Sequence, residues 1–286
     1  MKQTYITEER LNEFIKSAFN EDVGEGDHST LAAISPDATG KAQLIIKEDG
    51  IIAGLSLAKK IFHHFDPSLN VLLLKKDGEQ VRIGDIGLTV SGKAASILTT
   101  ERLVLNCLQR MSGIATYTHK LAQKIKHTPT KLLDTRKTTP NFRMMEKWAV
   151  HLGGGENHRY ALYDMIMLKD NHIDFAGGLR PAIHAAQAYL KENQLSLKIE
   201  VETRTLKEVQ EVLEIGGVDV IMLDNMDCPT MKEAVEMIDG KFVTEASGGI
   251  TEATLREVAE CGVDYISVGA LTHQVKSMDI SLKAVK

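Results

Sequence analysis

Residues 197–225 read LKIEVETRTLKEVQEVLEIGGVDVIMLDN, and this stretch decides the fold class. Apolar runs at 197–201 and 218–223 have strand character. Between them 205–215 has helical spacing and is closed by Gly216-Gly217. A strand, a helix and a second strand make one crossover unit, and repetition of that unit implies a parallel sheet covered by helices. The pattern repeats on both sides. Further strands are predicted at 131–134, 165–169, 243–246 and 264–268, with helices near 142–152, 179–193, 229–238 and 252–261. Alternation alone does not separate an open doubly wound sheet from a closed barrel. The run ends read DTRK, LKDN, EVET, LDN, EASGG and SVGA, all polar or small. In α/β barrels the C-terminal strand ends form the active face, with phosphate held by the last two loops. Ser247-Gly248-Gly249 and Gly269-Ala270 suit that role, because glycine lets backbone N–H groups approach an anion.

The chain before residue 131 has a different texture. A helix is predicted over 7–19, with Thr7 as N-cap and Leu11, Phe14, Ile15 and Ala18 on one face. EDVGEGDHST (21–30) reads as an acidic, glycine-punctuated turn; a metal held by Glu21, Asp22 and Asp27 is the less favoured reading. Strand runs at 42–47, 51–53, 71–74 and 86–91, with a helix at 55–65, describe a small α+β unit. Residues 95–123 are helical, with a break expected at Ser112-Gly113. Val104, Leu108, Met111 and Ala115 form the core stripe, and Glu101, Arg102, Asn106 and Arg110 lie off it. The resulting division is an N-terminal α/β domain over 1–107, with 271–286 as a candidate to pack on it, and an α/β barrel over 108–270.

Composition bounds the function. A chain of 286 residues with net charge -5 does not present a general nucleic-acid or membrane surface, so any cationic site is local. No apolar run approaches the roughly 20 residues that span a bilayer. MKQTYITEER lacks the apolar segment of a signal peptide. Cys107, Cys228 and Cys261 are scattered, without metal-ligand spacing, as expected of reduced thiols in a cytoplasmic protein. There is no GxxxxGK[ST], GxSxG or HExxH.

The cations are concentrated in DTRKTTPNFRMMEKWAVHLGGGENHRYALYDMIMLKDNH (134–172). Arg136 and Lys137 follow Leu132-Leu133, His158 and Arg159 follow Gly153-Gly154-Gly155, and Lys169 ends Met165-Ile166-Met167-Leu168. Cations gathered at strand ends and glycine turns suit a small, multiply charged anion. The alternative is scattered surface charge. Glu200 and Glu202 share a strand face, Asp224 closes the next strand, and Asp134 and Asp170 adjoin Arg136 and Lys169. Lys169 also raises a Schiff-base reading, since desolvation at the end of an apolar strand lowers a lysine pKa.

ERLVLNCLQRMSGIAT (101–116), DTRKTTP (134–140), GGGENHRYALYDMIMLKDNHI (153–173), EVE (200–202), LDN (223–225) and EASGGI (245–250) together resemble the quinolinate phosphoribosyltransferases. EDVGEGDHST and SVGALTH (267–273) are similar to further segments of that family, so the resemblance spans essentially the whole chain. It implies an N-terminal α/β domain plus an incomplete α/β barrel of about six parallel strands. It implies a homodimer with shared active sites, leaving a further hexamer open. The implied reaction joins quinolinate to phosphoribosyl pyrophosphate and yields nicotinate mononucleotide, CO₂ and pyrophosphate, with Mg²⁺ accompanying the pyrophosphate, in NAD biosynthesis. By this resemblance Thr135, Arg136, His158, Arg159 and Lys169 line the quinolinate site, and Arg102 comes from the neighbouring subunit. Lys137, Glu202 and Asp224 stand at the reacting centre, the two carboxylates approaching the metal through water. Ser247, Gly248, Gly249, Val268, Gly269 and Ala270 cradle the 5-phosphate. Between Glu200 and Glu202 the latter is preferred as nearer the barrel mouth. The competing readings are a related transferase acting on nicotinate, an aldolase-like barrel using Lys169, and a non-catalytic anion-binding protein.

Overall fold

The structure is a computed structural model describing residues 4–285; Met1–Gln3 and Lys286 lie outside the described residues. The chain divides into two compact units, one of residues 1–119, 137–154 and 270–286, the other of 120–136 and 155–269.

The first unit is built on a four-stranded antiparallel sheet. Its elements are α1 (Glu8–Asp22), α2 (His28–Ala33), β1 (Thr39–Ile46), β2 (Gly50–Ile51), α3 (Leu55–Phe65), β3 (Asn70–Leu73), β4 (Gln80–Val81), β5 (Ile86–Lys93) and α4 (Ala94–Ile125). The strand order β12-β1-β5-β3 uses β12 (Ile280–Ala284), so the end of the chain pairs with β1, Leu44 against Leu282. Thr7 caps α1, its side chain accepting from the Arg10 N–H. The acidic turn is a cap as well. Asp27 accepts from the Thr30 N–H at 3.0 Å, the Thr30 hydroxyl at 2.5 Å and the Thr99 hydroxyl at 3.1 Å. These bonds, that of the Thr30 hydroxyl first, hold its carboxyl below the usual range and account for the residue without a metal.

One expectation fails here. α4 runs unbroken through Ser112-Gly113. Ser112 is buried and its hydroxyl accepts the Ala53 N–H at 3.0 Å. A Cβ on Gly113 would overlap the Lys276 carbonyl oxygen, so glycine serves close chain crossing there, not a bend.

The second unit contains β6 (Lys131–Leu133), and, after α5 (Arg143–Leu152) of the first unit, β7 (Ile166–Leu168), α6 (Asp170–Ala176), α7 (Leu179–Glu192), β8 (Ile199–Thr203), α8 (Leu206–Ile215), β9 (Val220–Asp224), α9 (Cys228–Ile238), β10 (Val243–Ser247), α10 (Leu255–Ala259) and β11 (Tyr265–Ser267). α11 (Ala270–His273) returns to the first unit. All six strands are parallel, in the order β6-β11-β10-β9-β8-β7. An open doubly wound sheet reverses its order at a switch point. Here β7 to β11 are neighbours in sequence and in space, and β11 returns beside β6. That is the order of a barrel. It is incomplete, because among the described residues β6 and β7 end the ladder without pairing to each other.

Candidate active site

The register puts the β8, β9 and β10 carboxylates Glu200, Glu202, Asp224 and Glu245 on one face. Glu202 pairs with Met222 and Met222 with Glu245, while Asp224 pairs with Ser247. Side chains alternate along a strand, so Glu200 and Glu202, Asp224, and Glu245 and Ser247 all project to the same side. Glu200, Glu202 and Glu245 are buried. Glu202, near the C-terminal end of β8, is the carboxylate beside Asp224 and Asp170. Burial first, then repulsion from those two, raises its pKa, and Lys169 and the Asp170 backbone N–H oppose the rise. Glu200 lies two residues deeper and faces His158 instead.

The cations are held by loop chemistry. Asp134 is fully buried at the end of β6. Its Oδ2 accepts from Asn157 Nδ2 at 2.6 Å and its Oδ1 from the His158 N–H at 2.9 Å. One carboxylate thereby fastens the stretch Asn157–Arg159 to the strand end that carries Thr135 and Arg136. The Arg159 guanidinium donates to the Met165 carbonyl at 3.1 Å. Its pKa is lowered by burial and by the adjacent Arg136 guanidinium, and raised by Glu200 and Asp164. The Tyr160 and Ala161 N–H groups close the following turn on the Asp164 carboxylate, at 2.6 and 2.7 Å.

Lys169 is exposed, as the residue before α6. This corrects the desolvated lysine on which a Schiff-base mechanism depended. β7 is only half-buried throughout, so the strand end does not bury its last side chain.

The turn after β10 is tied to Asp224. The Asn225 N–H donates to the Ser247 carbonyl at 2.9 Å, and Asn225 Nδ2 donates to Asp224 Oδ2 at 2.5 Å. Gly248 has φ +90°, and a Cβ on it would overlap the Asn225 side chain and approach its backbone nitrogen to 2.8 Å. Gly248→Ala is therefore strained twice, by the backbone and by the overlap. We expect kcat/KM to fall by about 10²-fold, the cost of displacing a positioned group by about 1 Å. Wild-type kinetics for this variant would refute the coupling. Gly249 (φ +59°) faces open space and Val268 is buried, its N–H donating to Leu133 of β6 at 3.0 Å; Gly269 is half-buried.

Lys137, Arg102 and Ala270 belong to the first unit. Arg102 is exposed on α4, and Ala270 opens α11. Lys137 is exposed, and its carbonyl accepts the Thr272 hydroxyl at 2.7 Å. Two residues on, Thr139 donates its N–H and hydroxyl to the buried Glu146 carboxylate at 3.0 and 2.9 Å. Arg110 holds that carboxylate through Nε and Nη2 at 3.0 and 2.8 Å. The segment after Arg136 is thus anchored by a buried ion pair that no local pattern in the sequence reveals.

Two family models match the chain, the N-terminal domain of quinolinate phosphoribosyl transferase over residues 27–112 and its C-terminal domain over 114–283. The chain belongs to this family. The chloroplastic nicotinate-nucleotide pyrophosphorylase [carboxylating] of Arabidopsis thaliana is 48% identical, across 96% of this chain and 82% of its own length. The probable nicotinate-nucleotide pyrophosphorylase [carboxylating] of Bacillus subtilis is 41% identical, across 96% and 93%. The crystal structure of NadC from Streptococcus pyogenes superposes with a TM-score of 0.92 at 39% identity, covering 99% of this chain and all of that one. The two-domain architecture, with a six-stranded parallel sheet, is that of these quinolinate phosphoribosyltransferases. Within it, sequence reasoning missed Glu245, Asp134 as the anchor of the cation loop, and Asn225. The signal for Glu245 was present, since Glu245 and Ser247 stand two apart on a strand, as Glu200 and Glu202 do.

Proposed function

We propose that the chain catalyses phosphoribosyl transfer to quinolinate with decarboxylation, in NAD biosynthesis. The observation that carries this reading is the pairing of the Arg136 and Arg159 guanidiniums beside the barrel face that bears Glu202 and Asp224. Adjacent guanidiniums repel unless an anion lies between them, and two carboxylates on one ring satisfy them together. His158, Thr135 and Lys169 are assigned to the same anion site, and Lys169 acts electrostatically on Glu202. The pyridine nitrogen bonds to C1 of the ribose as the C1–O bond breaks and pyrophosphate leaves with the electron pair. The ring then loses its 2-carboxylate as CO₂, the freed pair remains on C2, and a proton is taken up there. Glu202 and Asp224 face the positive charge that builds on the sugar. Ser247, Gly248, Gly249 and Gly269 are assigned to the 5-phosphate through backbone N–H groups, with Val268 supporting that turn while its own N–H donates to the Leu133 carbonyl.

The crowding of Glu202, Asp224 and Asp170 suits a hard divalent cation. Glu202 and Asp224 would hold Mg²⁺ through water, and the ion neutralises pyrophosphate when bound. Arg102, exposed on α4, is assigned to the quinolinate site of a neighbouring subunit in a homodimer. Among the described residues no helix is long and apolar enough to cross a membrane, and the three free thiols support a reducing compartment such as the cytoplasm.

The test mixes the protein with quinolinate, phosphoribosyl pyrophosphate and Mg²⁺ and follows both products. Equal amounts of CO₂ and nicotinate mononucleotide are expected, with kcat/KM for quinolinate falling by about 10²-fold or more in Arg136→Ala. Turnover of nicotinate without quinolinate would discard the dicarboxylate reading.

A further inference from the structure

The last turns of α4 lie in the second unit and have two unlike sides. Leu121 and Ile125 are buried, whereas Lys120 and Lys124, four residues apart, share the exposed side. Lys126 and His127, also exposed, follow the helix. In the same unit Arg256 is exposed on α10, whose Leu255, Val258 and Ala259 are buried. These segments wall a cleft of about 580 Å³ that Lys124, Lys126, His127, Glu252 and Arg256 line. Its volume is in the range of small-molecule sites.

The charges of the cleft do not balance. Lys120 Nζ and Lys124 Nζ lie 2.8 and 2.9 Å from the same oxygen, Glu252 Oε1. Arg256 Nε and His127 Nε2 lie 2.9 and 3.0 Å from Glu260 Oε1. Lys120 first, then Lys124, holds the Glu252 carboxyl below the usual range, and Arg256, then His127, does the same for Glu260. Each glutamate therefore counts as one negative charge. Lys126 has no ion partner among the described residues, and Glu257, the acid within α10, acts on the Cys261 thiol. Four cations, Lys120, Lys124, Lys126 and Arg256, thus stand against two carboxylates, a surplus of two positive charges before His127 is counted. The whole chain carries -5, so this surplus runs against the general charge.

A dianion cancels it. A lysine ammonium has three donors, more than one shared carboxylate oxygen occupies. A phosphate group brings two charges on one centre and several oxygens, which suits lysine point charges and the Arg256 fork together. A nucleic acid suits the site less, because a chain of net charge -5 repels an extended polyanion. We propose that this cleft binds a small phosphate-bearing molecule with at least two negative charges. None of its residues is among those assigned to phosphoribosyl transfer, so the proposal stands or falls apart from that reading.

The test follows the backbone amide NMR signals of Gln123–His127 and Glu252–Arg256 in the full-length protein as pyrophosphate is added at low salt without metal. Saturable shifts are expected there, and their location separates this site from pyrophosphate held at the catalytic face. Exposed charge pairs are individually weak, so Lys126→Ala should weaken binding about three- to fivefold, and Lys126→Ala with Arg256→Ala about tenfold or more. Lys126 has no ion pair to lose, so its variant keeps the fold. Lys207→Ala, the same change of net charge on an exposed lysine of α8, should leave the affinity unchanged. Glu252→Gln removes a competing carboxylate and should tighten binding about three- to fivefold. No saturable shift, an equal loss in Lys207→Ala, or weaker binding in Glu252→Gln would overturn the site. So would a single-stranded oligonucleotide that binds more tightly than pyrophosphate. AMP titrated beside pyrophosphate identifies the source: the tighter of the two marks an organic phosphate or an inorganic one, and either supports the cleft.

Discussion

Glu202→Gln is expected to lower kcat by about 10²–10³-fold, the magnitude for removing one group aimed at transition-state charge, while changing KM for quinolinate little. The carboxylate sits at 9% exposure beside Asp224 and Asp170, an arrangement that costs folding energy and pays only when positive charge develops opposite. Burial and the two neighbouring carboxylates raise its pKa, so the folded protein binds its proton more tightly than the unfolded chain. The destabilisation from its charge is therefore fully present above the raised folded pKa and vanishes as the pH falls below the unfolded value. Two signatures follow. The acidic limb of kcat/KM should lie at higher pH than an ordinary carboxylate dictates, and Glu202→Gln should melt at a higher temperature than the parent at neutral pH but not in acid. An inactive variant that also melts lower at neutral pH would show a structural carboxylate instead.

Asp134→Ala has the second large expected effect, on stability. Asp134 is fully buried, and its removal takes a charged acceptor from the half-buried Asn157 amide and His158 N–H. A hydrogen bond to a charged group contributes about 1.5–3 kcal/mol, so the pair predicts a loss of about 3–6 kcal/mol. For a chain of this size the melting temperature should fall by roughly 5–10 °C. The same bonds hold His158 and Arg159 in place, so KM for quinolinate should rise more than kcat falls. Asp134→Asn, which keeps one acceptor oxygen, should fall between. A melting temperature within about a degree of the parent for Asp134→Ala would refute the anchoring role.

Much of the molecule was legible in the chain because the relevant forces are local. Apolar periodicity located the six parallel strands, and the helix predicted at 55–65 coincides with Leu55–Phe65. The cap at Thr7 followed from side-chain chemistry within three residues. The elements missed were short or depended on distant partners. β4 has two residues, and β12 exists because β1 lies beside it, 234 or more positions earlier in the chain, as Ile46 against Ile280. The expected break at Gly113 failed for the same reason, since Lys276 decides what fits against that glycine.

By itself the sequence determined which residue types would meet an anion and at which strand ends they stand, because a strand's period of two and a helix's period of 3.6 are properties of the backbone. Tertiary structure alone decided their states. Glu200 and Glu202 are two residues apart and chemically identical, yet one faces a buried histidine and the other two carboxylates and a lysine. Lys169 ends an apolar run and is nonetheless exposed. Burial and neighbouring charge set proton affinity, and both are properties of three-dimensional surroundings, so the protonation pattern of this site could be read only once the barrel had brought its strand ends together.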